Sequence, residues 1–493
     1  MAKTLYKKVM HDNIHGHIVL NRVESRILET PYFQRLRWIK QLGFTFYIYP
    51  GATHTRHAHV LGVLHMMDKT LKAIGKAVPE DKLFDPDARD EGTQFHRTMR
   101  LAAMLHDIGT MPFSHTIEIA YINFWRSQRK SRKTKYEANH ENLGSHIIEN
   151  TDFDGGITKI LKEEGINPKE LSETIAGHSS TLLANQLIHS DVDADRMDYL
   201  LRDARHTGVH LGSYDQNLLL KNLAIAKVEN QEVLCVQEDA VNVVESFLTS
   251  RYFWYSQIIN DGTGYKFDLI AAKIYQYFLE NGLAYSFDSL MDQVSQNPNE
   301  YFTFNDSYFM AKLHEYLAGR ITHPLIRELS EMLASRKAPA QIKIDPVTPT
   351  LVESEDHRKH LIDQVLDVSA WLENEIHEID PNAWMIYDIP QKDVIFTKGH
   401  QSISGSNPVL SRDPVKVLTR HGDVKLLIDM SHSLLKIMSQ YRNFIPRIYV
   451  SPATYEKLDK KGILEEMRNQ FSKSNPPKKT KKVNSKTKKK SSN

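Results

Sequence analysis

The stretch LHDIGTMPFSH, Leu105 to His115, ends an apolar run on an adjacent histidine and aspartate. Phe95, Met99, Ala102, Ala103 and Leu105 recur at helical spacing ahead of it. His106 and Asp107 are therefore predicted at the C-terminal end of a core-facing helix. One such pair is a weak signal. The chain has 24 histidines, and MHDNIHGH repeats the dipeptide as His11-Asp12 in a strand-like context. The company that Leu105–His115 keeps is what gives it weight.

Three other pieces carry matching chemistry: RHAH with Arg56 and His59, NHEN with His140, and DVDADRMDYLLRD with Asp195. Divalent cations take imidazole and carboxylate ligands held on rigid elements. Gaps of 47 residues from His59 to His106 and 88 from Asp107 to Asp195 suit ligands on separate helices of one bundle. They do not suit a compact metal-binding loop. Ala184, Leu187, Ile188 and Val192, then Met197, Leu200 and Leu201, continue the helical pattern around the acidic stretch.

With 493 residues, two domains and extensions are expected. A Pro-containing stretch, Lys337 to Thr350, reads as a linker. Beyond it Leu361, Val365, Leu366, Val368 and Leu372 mark a helix, AWMIYDIP and DVIFT read as strands, and Val424 to Tyr441 as an amphipathic helix. The organisation is thus a mainly α domain over 1–336 (motif core about 50–210), a linker over 337–350, an α+β domain over 351–470 and a disordered basic tail over 471–493.

Lone Cys235 excludes an internal disulfide framework, and no segment has the length and apolarity of a signal peptide or a membrane span. A cytoplasmic protein without membrane association is expected. The net charge of +2 hides nine lysines between Lys473 and Asn493, so the rest of the chain stands near −7. That balance argues against nucleic-acid binding by the body of the protein. The tail reads first as a solubilising segment and second as a weak nucleic-acid contact. A second basic run, Arg126 to Lys135, has six cations and reads as a solvated loop, with attraction of phosphate as its sharper reading.

The order RHAH, HDIG…PFSH, NHE and DVDADRMDYLLRD resembles the HD-domain metal-dependent phosphohydrolases, and within them the deoxynucleoside triphosphate triphosphohydrolase branch. HDNIHGHIVL, TPYFQRLRWIKQLG, YPGATHTRHAHVLGV and RDARHTGVHLGSYD extend the resemblance over roughly residues 8 to 270. It implies a helical HD bundle and His59, His106, Asp107 and Asp195 as ligands of one divalent ion: manganese, magnesium, iron, nickel or zinc. It places Arg56 beside the phosphates, His115 as proton donor to the leaving 5′ oxygen, His140 as a second active-site histidine and Glu118 as the carboxylate orienting it. Gln41 and Leu42 would meet the deoxyribose 3′ hydroxyl, Tyr199 and Asp203 would line the sugar side, and Arg251 would reach the phosphates. A nucleotide substrate and a homo-oligomer follow from the same resemblance. Asp191, Asp193 and Asp198 read as solvated acids or as partners of Arg196 and Arg202.

Two departures bear on substrate. The family reads HDxGHGPFSH, whereas Thr110 and Met111 replace the His-Gly pair here. A threonine cannot carry charge, so one charge-assisted contact of about 2 kcal/mol is lost. After Arg251, the family's tyrosine and lysine positions are Ile259 and Gly262, with Asp261 between them and Lys266 beyond. The first reading is a hydrolase of deoxynucleoside triphosphates giving deoxynucleoside and triphosphate. The alternatives are an HD phosphohydrolase for another nucleotide or phosphomonoester, a weakly catalytic nucleotide sensor or assembly subunit, and a nuclease served by the basic tail.

Overall fold

Apolar periodicity builds the helices that carry the motifs, and three of them are capped at the start by a short polar side chain. The computed structural model describes residues 7–128, 137–260, 262, 264–320, 323–343, 350–352, 354–390, 393–397, 407–440 and 442–471. Helix α1 spans Arg56–Ala73. Helix α2 spans Glu91–Leu105 and is capped by Asp90, whose carboxylate accepts the Thr93 N–H at 3.1 Å. Such a cap contributes about 1 kcal/mol. Met99, Ala102, Ala103 and Leu105 are fully buried, as their spacing predicts, and Phe95 is half-buried. His106 follows directly at the helix end.

Helix α3 (His115–Ser127) begins at the end of the same motif, and α4 (His140–Glu149) is capped by Asn139. The turn between α2 and α3 lies against α4 because Gly109 has no side chain: a Cβ there would stand 2.2 Å from the His140 carbonyl oxygen. Helix α5 (Ala194–Thr207) is capped by Asp193 and stops at Gly208, whose φ of 74° is the left-handed conformation glycine takes without strain. α1 packs against both α2 and α5. Helix α6 (Val241–Trp254) leads through a wider π-type turn, Tyr255–Ile259, towards α7 (Gly264–Glu280). A hairpin at the start of the chain pairs β1 (Lys8–Asp12) with β2 (Gly16–Leu20).

The chain divides into two units, and neither is the continuous block expected. The first comprises Met1–Ala338 and Asp393–Asn443, the second Pro339–Lys392 and Phe444–Asn493. In the first, the strand Gln231–Gln237 pairs antiparallel with Leu223–Val228 and parallel with Lys416–Leu418, which in turn pairs with Val424–Leu426. The helix expected over Val424–Tyr441 is therefore corrected: a strand, a 3₁₀ turn and the short helix Leu435–Met438 stand there, and Tyr441 lies outside the described residues. A turn through Gly422, φ 87°, returns the chain onto Lys416–Leu418, whose backbone satisfies the strand in a way sequence periodicity cannot register.

In the second unit Arg447–Val450 pairs with Ala340–Ile342 on one side and Met385–Asp388 on the other. Ala340–Ile342 is thus a strand inside the stretch read as linker. Helix α8 (Glu355–Ile379) covers this sheet, burying Leu361, Val365, Val368 and Leu372 against Ile448, Val450 and Met467. Leu366 instead faces outward, 42% exposed. The mainly α architecture with smaller α+β parts agrees with the expected class. The basic tail from Lys473 and the basic run from Arg129 to Lys135 lie outside the described residues, as does Asp261. No described helix is long and apolar enough to cross a membrane.

Candidate active site

Three helix ends bring four ligand-type side chains to one point. His59 lies in the first turn of α1, His106 and Asp107 close α2, and Asp195 opens α5. Asp195 Oδ1 stands 3.0 Å from His59 Nε2 and 3.7 Å from His106 Nε2. Asp107 Oδ2 stands 3.8 and 3.5 Å from the same two nitrogens. Each imidazole is fixed from behind: His59 Nδ1 donates to Asp198 Oδ2 at 2.8 Å, and His106 Nδ1 donates to the Ala103 carbonyl at 2.8 Å. With Nδ1 donating, each neutral ring turns its Nε2 lone pair towards the shared space. Without a cation, burial opposes charge on His59, but Asp195 and Asp198 outweigh it and push the imidazole up to about 9. His59, His106 and Asp107 form a group whose ligand atoms lie close enough to hold a divalent transition-type cation, and Asp195 Oδ1 stands beside both imidazoles as a further carboxylate.

Burial would raise the Asp107 carboxyl, but the Arg56 guanidinium and the His106 and His59 rings hold it well below the carboxylate range. Arg56 meets Asp107 directly and donates Nε–H to Ser114 Oγ at 2.9 Å. Ser114 in turn donates to the Lys40 carbonyl at 2.6 Å. Phe113 and Ser114 have φ of 51° and 58°, a conformation that costs non-glycine residues of order 1 kcal/mol or more each. Asp306, accepting the Phe113 N–H at 2.6 Å, helps to hold that turn. From the other side, buried Arg35 donates to the Ile108 and Thr110 carbonyls at 3.3 and 2.5 Å.

A second constellation stands at the start of α3. Glu118 accepts His115 Nδ1–H through Oε2 at 2.7 Å and His140 Nδ1–H through Oε1 at 2.6 Å. It also accepts the His140 backbone N–H at 2.8 Å. Burial opposes charge on His140, but the Glu118 carboxylate outweighs it and pushes the imidazole up to about 9. The His115 side chain is 61% exposed, so its Nε2 is open to a ligand.

A cleft of about 220 Å³ is lined by Arg56, His115 and Asp195 together with Gln41, Leu42, Tyr199 and Asp203. Gln41 Oε1, Tyr199 Oη, Asp203 Oδ2 and Trp254 Nε1 are buried polar atoms with no hydrogen-bond partner among the described residues. Buried groups of this kind are normally satisfied, and a bound molecule would satisfy them here. The ring of Tyr199 lies 4.7 Å from that of Trp254, giving the cleft an aromatic wall.

Arg251 stands elsewhere. It is buried, donating to Asp191 Oδ1 at 2.7 Å and to the Phe396 carbonyl at 2.8 Å, and it does not line the cleft. This corrects its expected place at the phosphates, because a buried carboxylate from before α5 holds it. Arg251→Ala should therefore act on stability, leaving Asp191 buried and unpaired at a cost of about 3–5 kcal/mol. The check is a denaturant melt beside KM measurements; a raised KM at unchanged stability would return Arg251 to the substrate. Ile259 does line the cleft, and Lys266 is not among its lining residues. Thr110 is buried, its hydroxyl has no partner among the described residues, and it is not among the residues that line the cleft. Sequence reading gave no role to Trp254 or Asp268, which face the cleft, nor to Asp198 beyond an ion pair with a neighbouring arginine. The i,i+4 spacing of Asp198 and Arg202 was a signal for that pair; nothing local marked the others.

The family model described as HD domain matches residues 56–203. An uncharacterized protein of Mycoplasma pneumoniae, the MG461 homolog, is 30% identical over 343 residues, 68% of this chain and 69% of that one. The uncharacterized protein MJ1154 of Methanocaldococcus jannaschii is 32% identical over 251 residues, 51% of this chain and 45% of that one. The deoxynucleoside triphosphate triphosphohydrolase SAMHD1 of Homo sapiens is 29% identical over 266 residues, 49% of this chain and 40% of that one. The match thus spans under half the length of the two latter relatives. A crystal structure of a hypothetical protein from Aquifex aeolicus superposes with a TM-score of 0.61 at 24% identity, over 94% of this chain and 100% of that one, and so shares the fold.

Proposed function

This chain belongs to the HD-domain phosphohydrolases, and we propose that its cleft hydrolyses the 5′ phosphoester of deoxynucleoside triphosphates, releasing deoxynucleoside and triphosphate. One observation carries the reading: Asp195, which stands beside His59 and His106, lines the same cleft as Arg56, His115 and the side chains of Gln41, Tyr199 and Asp203, whose buried polar atoms have no partner among the described residues. When bound, a divalent cation at His59, His106, Asp107 and Asp195 supplies an acidified water and neutralises phosphate charge.

The chain's own groups supply the rest. Arg56, on the cleft wall, stabilises charge developing on the phosphoryl oxygens. A water oxygen bonds to the α-phosphorus as the bond to the 5′ oxygen breaks. His115 Nε2–H protonates that oxygen, while Glu118 fixes the ring through Nδ1. His140, kept cationic by Glu118, adds positive charge on the same side. Gln41, Leu42, Tyr199 and Asp203 hold the sugar.

The test is a turnover screen with manganese, magnesium or iron over the four deoxynucleoside triphosphates singly and mixed, ribonucleotides and nucleoside monophosphates. Deoxynucleoside plus triphosphate is the expected product pair. The pairing of Arg251 with Asp191 and the apolar Ile259 in the cleft favour a second reading, a nucleoside monophosphate or other phosphomonoester. Inorganic phosphate released from monophosphates alone would replace the first reading by the second. We propose in addition that the chain assembles as a homo-oligomer; light scattering on the purified chain tests this, and a monomer at working concentration would remove it.

A further inference from the structure

The decoy dipeptide His11-Asp12 stands in the hairpin β1–β2, and the turn after it reaches the back of the candidate metal centre. Asp198 is the junction. Its Oδ2 accepts from His59 Nδ1 at 2.8 Å and from Arg202 Nε at 2.9 Å. Its Oδ1 accepts from His15 Nε2 at 2.7 Å and from Arg202 Nη2 at 2.9 Å. Arg202 then donates to both oxygens of Asp12, at 2.8 and 3.2 Å. Asp12 Oδ1 also accepts the backbone N–H groups of Ile14 and His15, at 3.0 and 2.9 Å, which fixes the turn that carries His15.

The chain of contacts is withdrawn from water: the side chains of His15, Asp198 and Arg202 are exposed by no more than 1%, and that of Asp12 by 7%. His15 lies against His65, with ring centroids 5.0 Å apart. Helix α1 comes close enough only because residue 62 is glycine. A Cβ there would stand 1.9 Å from Asp198 Oδ1 and 2.4 Å from Arg202 Nη2.

We propose that Asp12 and His15 are positioning residues of the metal centre, holding Asp198 so that His59 presents Nε2 to the cation. The inference rests on the reading of His59 as a ligand. Two carboxylates share one guanidinium here, and the acceptor capacity left over on Asp198 goes to two imidazoles. Without His15 or Asp12, Asp198 has fewer restraints, and His59 loses a fixed partner for Nδ1. Such partners set both the orientation and the basicity of a ligating histidine. His11, by contrast, is exposed on β1, with its ring 4.3 Å from that of His17.

The experiment is a Mn²⁺ titration of the full chain by calorimetry, with the melting temperature of the metal-free protein measured beside it. His15→Ala and Asp12→Asn are expected to weaken Mn²⁺ binding about 10–100-fold, and His11→Ala to leave it unchanged. His15→Gln, which keeps one donor, is expected to recover part of the affinity, and stands in if the alanine variant does not fold. A lowered melting temperature with unchanged Mn²⁺ affinity shows a role in folding alone and overturns the inference. Equal weakening by His11→Ala overturns it too. Wild-type protein that takes up no Mn²⁺ overturns the metal reading itself, and this inference with it.

Discussion

Asp107→Ala protein should carry no stoichiometric Mn²⁺ and should turn over at least ~10³-fold more slowly than the wild type. The carboxylate lies between two ligand-type imidazoles and the Arg56 guanidinium, so its loss removes a cation ligand and unties Arg56 in one step. Charge stabilisation by a bound cation amounts to several kcal/mol, and about 4 kcal/mol is roughly a thousandfold in rate. Asp107→Asn keeps the shape and removes the charge, and the same loss is expected of it. Metal content by mass spectrometry beside turnover decides the matter. Full activity in a variant that holds no metal would remove the cation from the mechanism.

Glu118→Gln should cost about 10²–10⁴-fold in rate, the range of a positioned acid-base group. The substitution keeps size, yet it takes away the charge that orients His115 and keeps His140 cationic. It also has a stability signature. His140 in the folded metal-free protein is raised from 6.5 to about 9, so its contribution is fully present below pH 6.5 and lost as pH rises through about 9. Burial works against the Glu118 charge, but His140 and His115 hold its carboxyl well below 4.5. Its contribution is therefore present above pH 4.5 and lost as pH falls through the lowered value. The gap in melting temperature between wild type and Glu118→Gln should be widest between about pH 4.5 and 6.5 and should narrow towards pH 9.5. A gap that is flat across that range would mean that the two groups are not coupled as a charged pair.

Much of the site was legible because its parts are local patterns. His59, His106, Asp107 and Asp195 each sit at or near a helix end, and the apolar spacing around them marked the helices without reference to the rest of the chain. Their convergence follows from burying one face of each of those helices in a common core. The pairing of Glu118 with His140 was implied by the family resemblance rather than by any local pattern, and in the fold the two side chains are 2.6 Å apart. The helix over Glu355–Ile379 was equally clear, since Leu361, Val365, Val368 and Leu372 repeat with its period.

What the sequence determined by itself, then, is which residues lie on which face of which helix, because propensity, capping and amphipathic spacing act within a few residues. Partners across the chain were decided only by tertiary structure. Arg251 could have met phosphate, yet it meets Asp191, sixty residues earlier. Val424–Leu426 could have continued a helix, yet a returning strand offers it a ladder. Asp12 was a decoy in the sequence and is the outer anchor of Arg202 in the fold. The physical reason is common to all three. A charge or an unpaired backbone amide demands a partner but does not name one, and the choice falls to whichever group the packed core brings within about 3 Å.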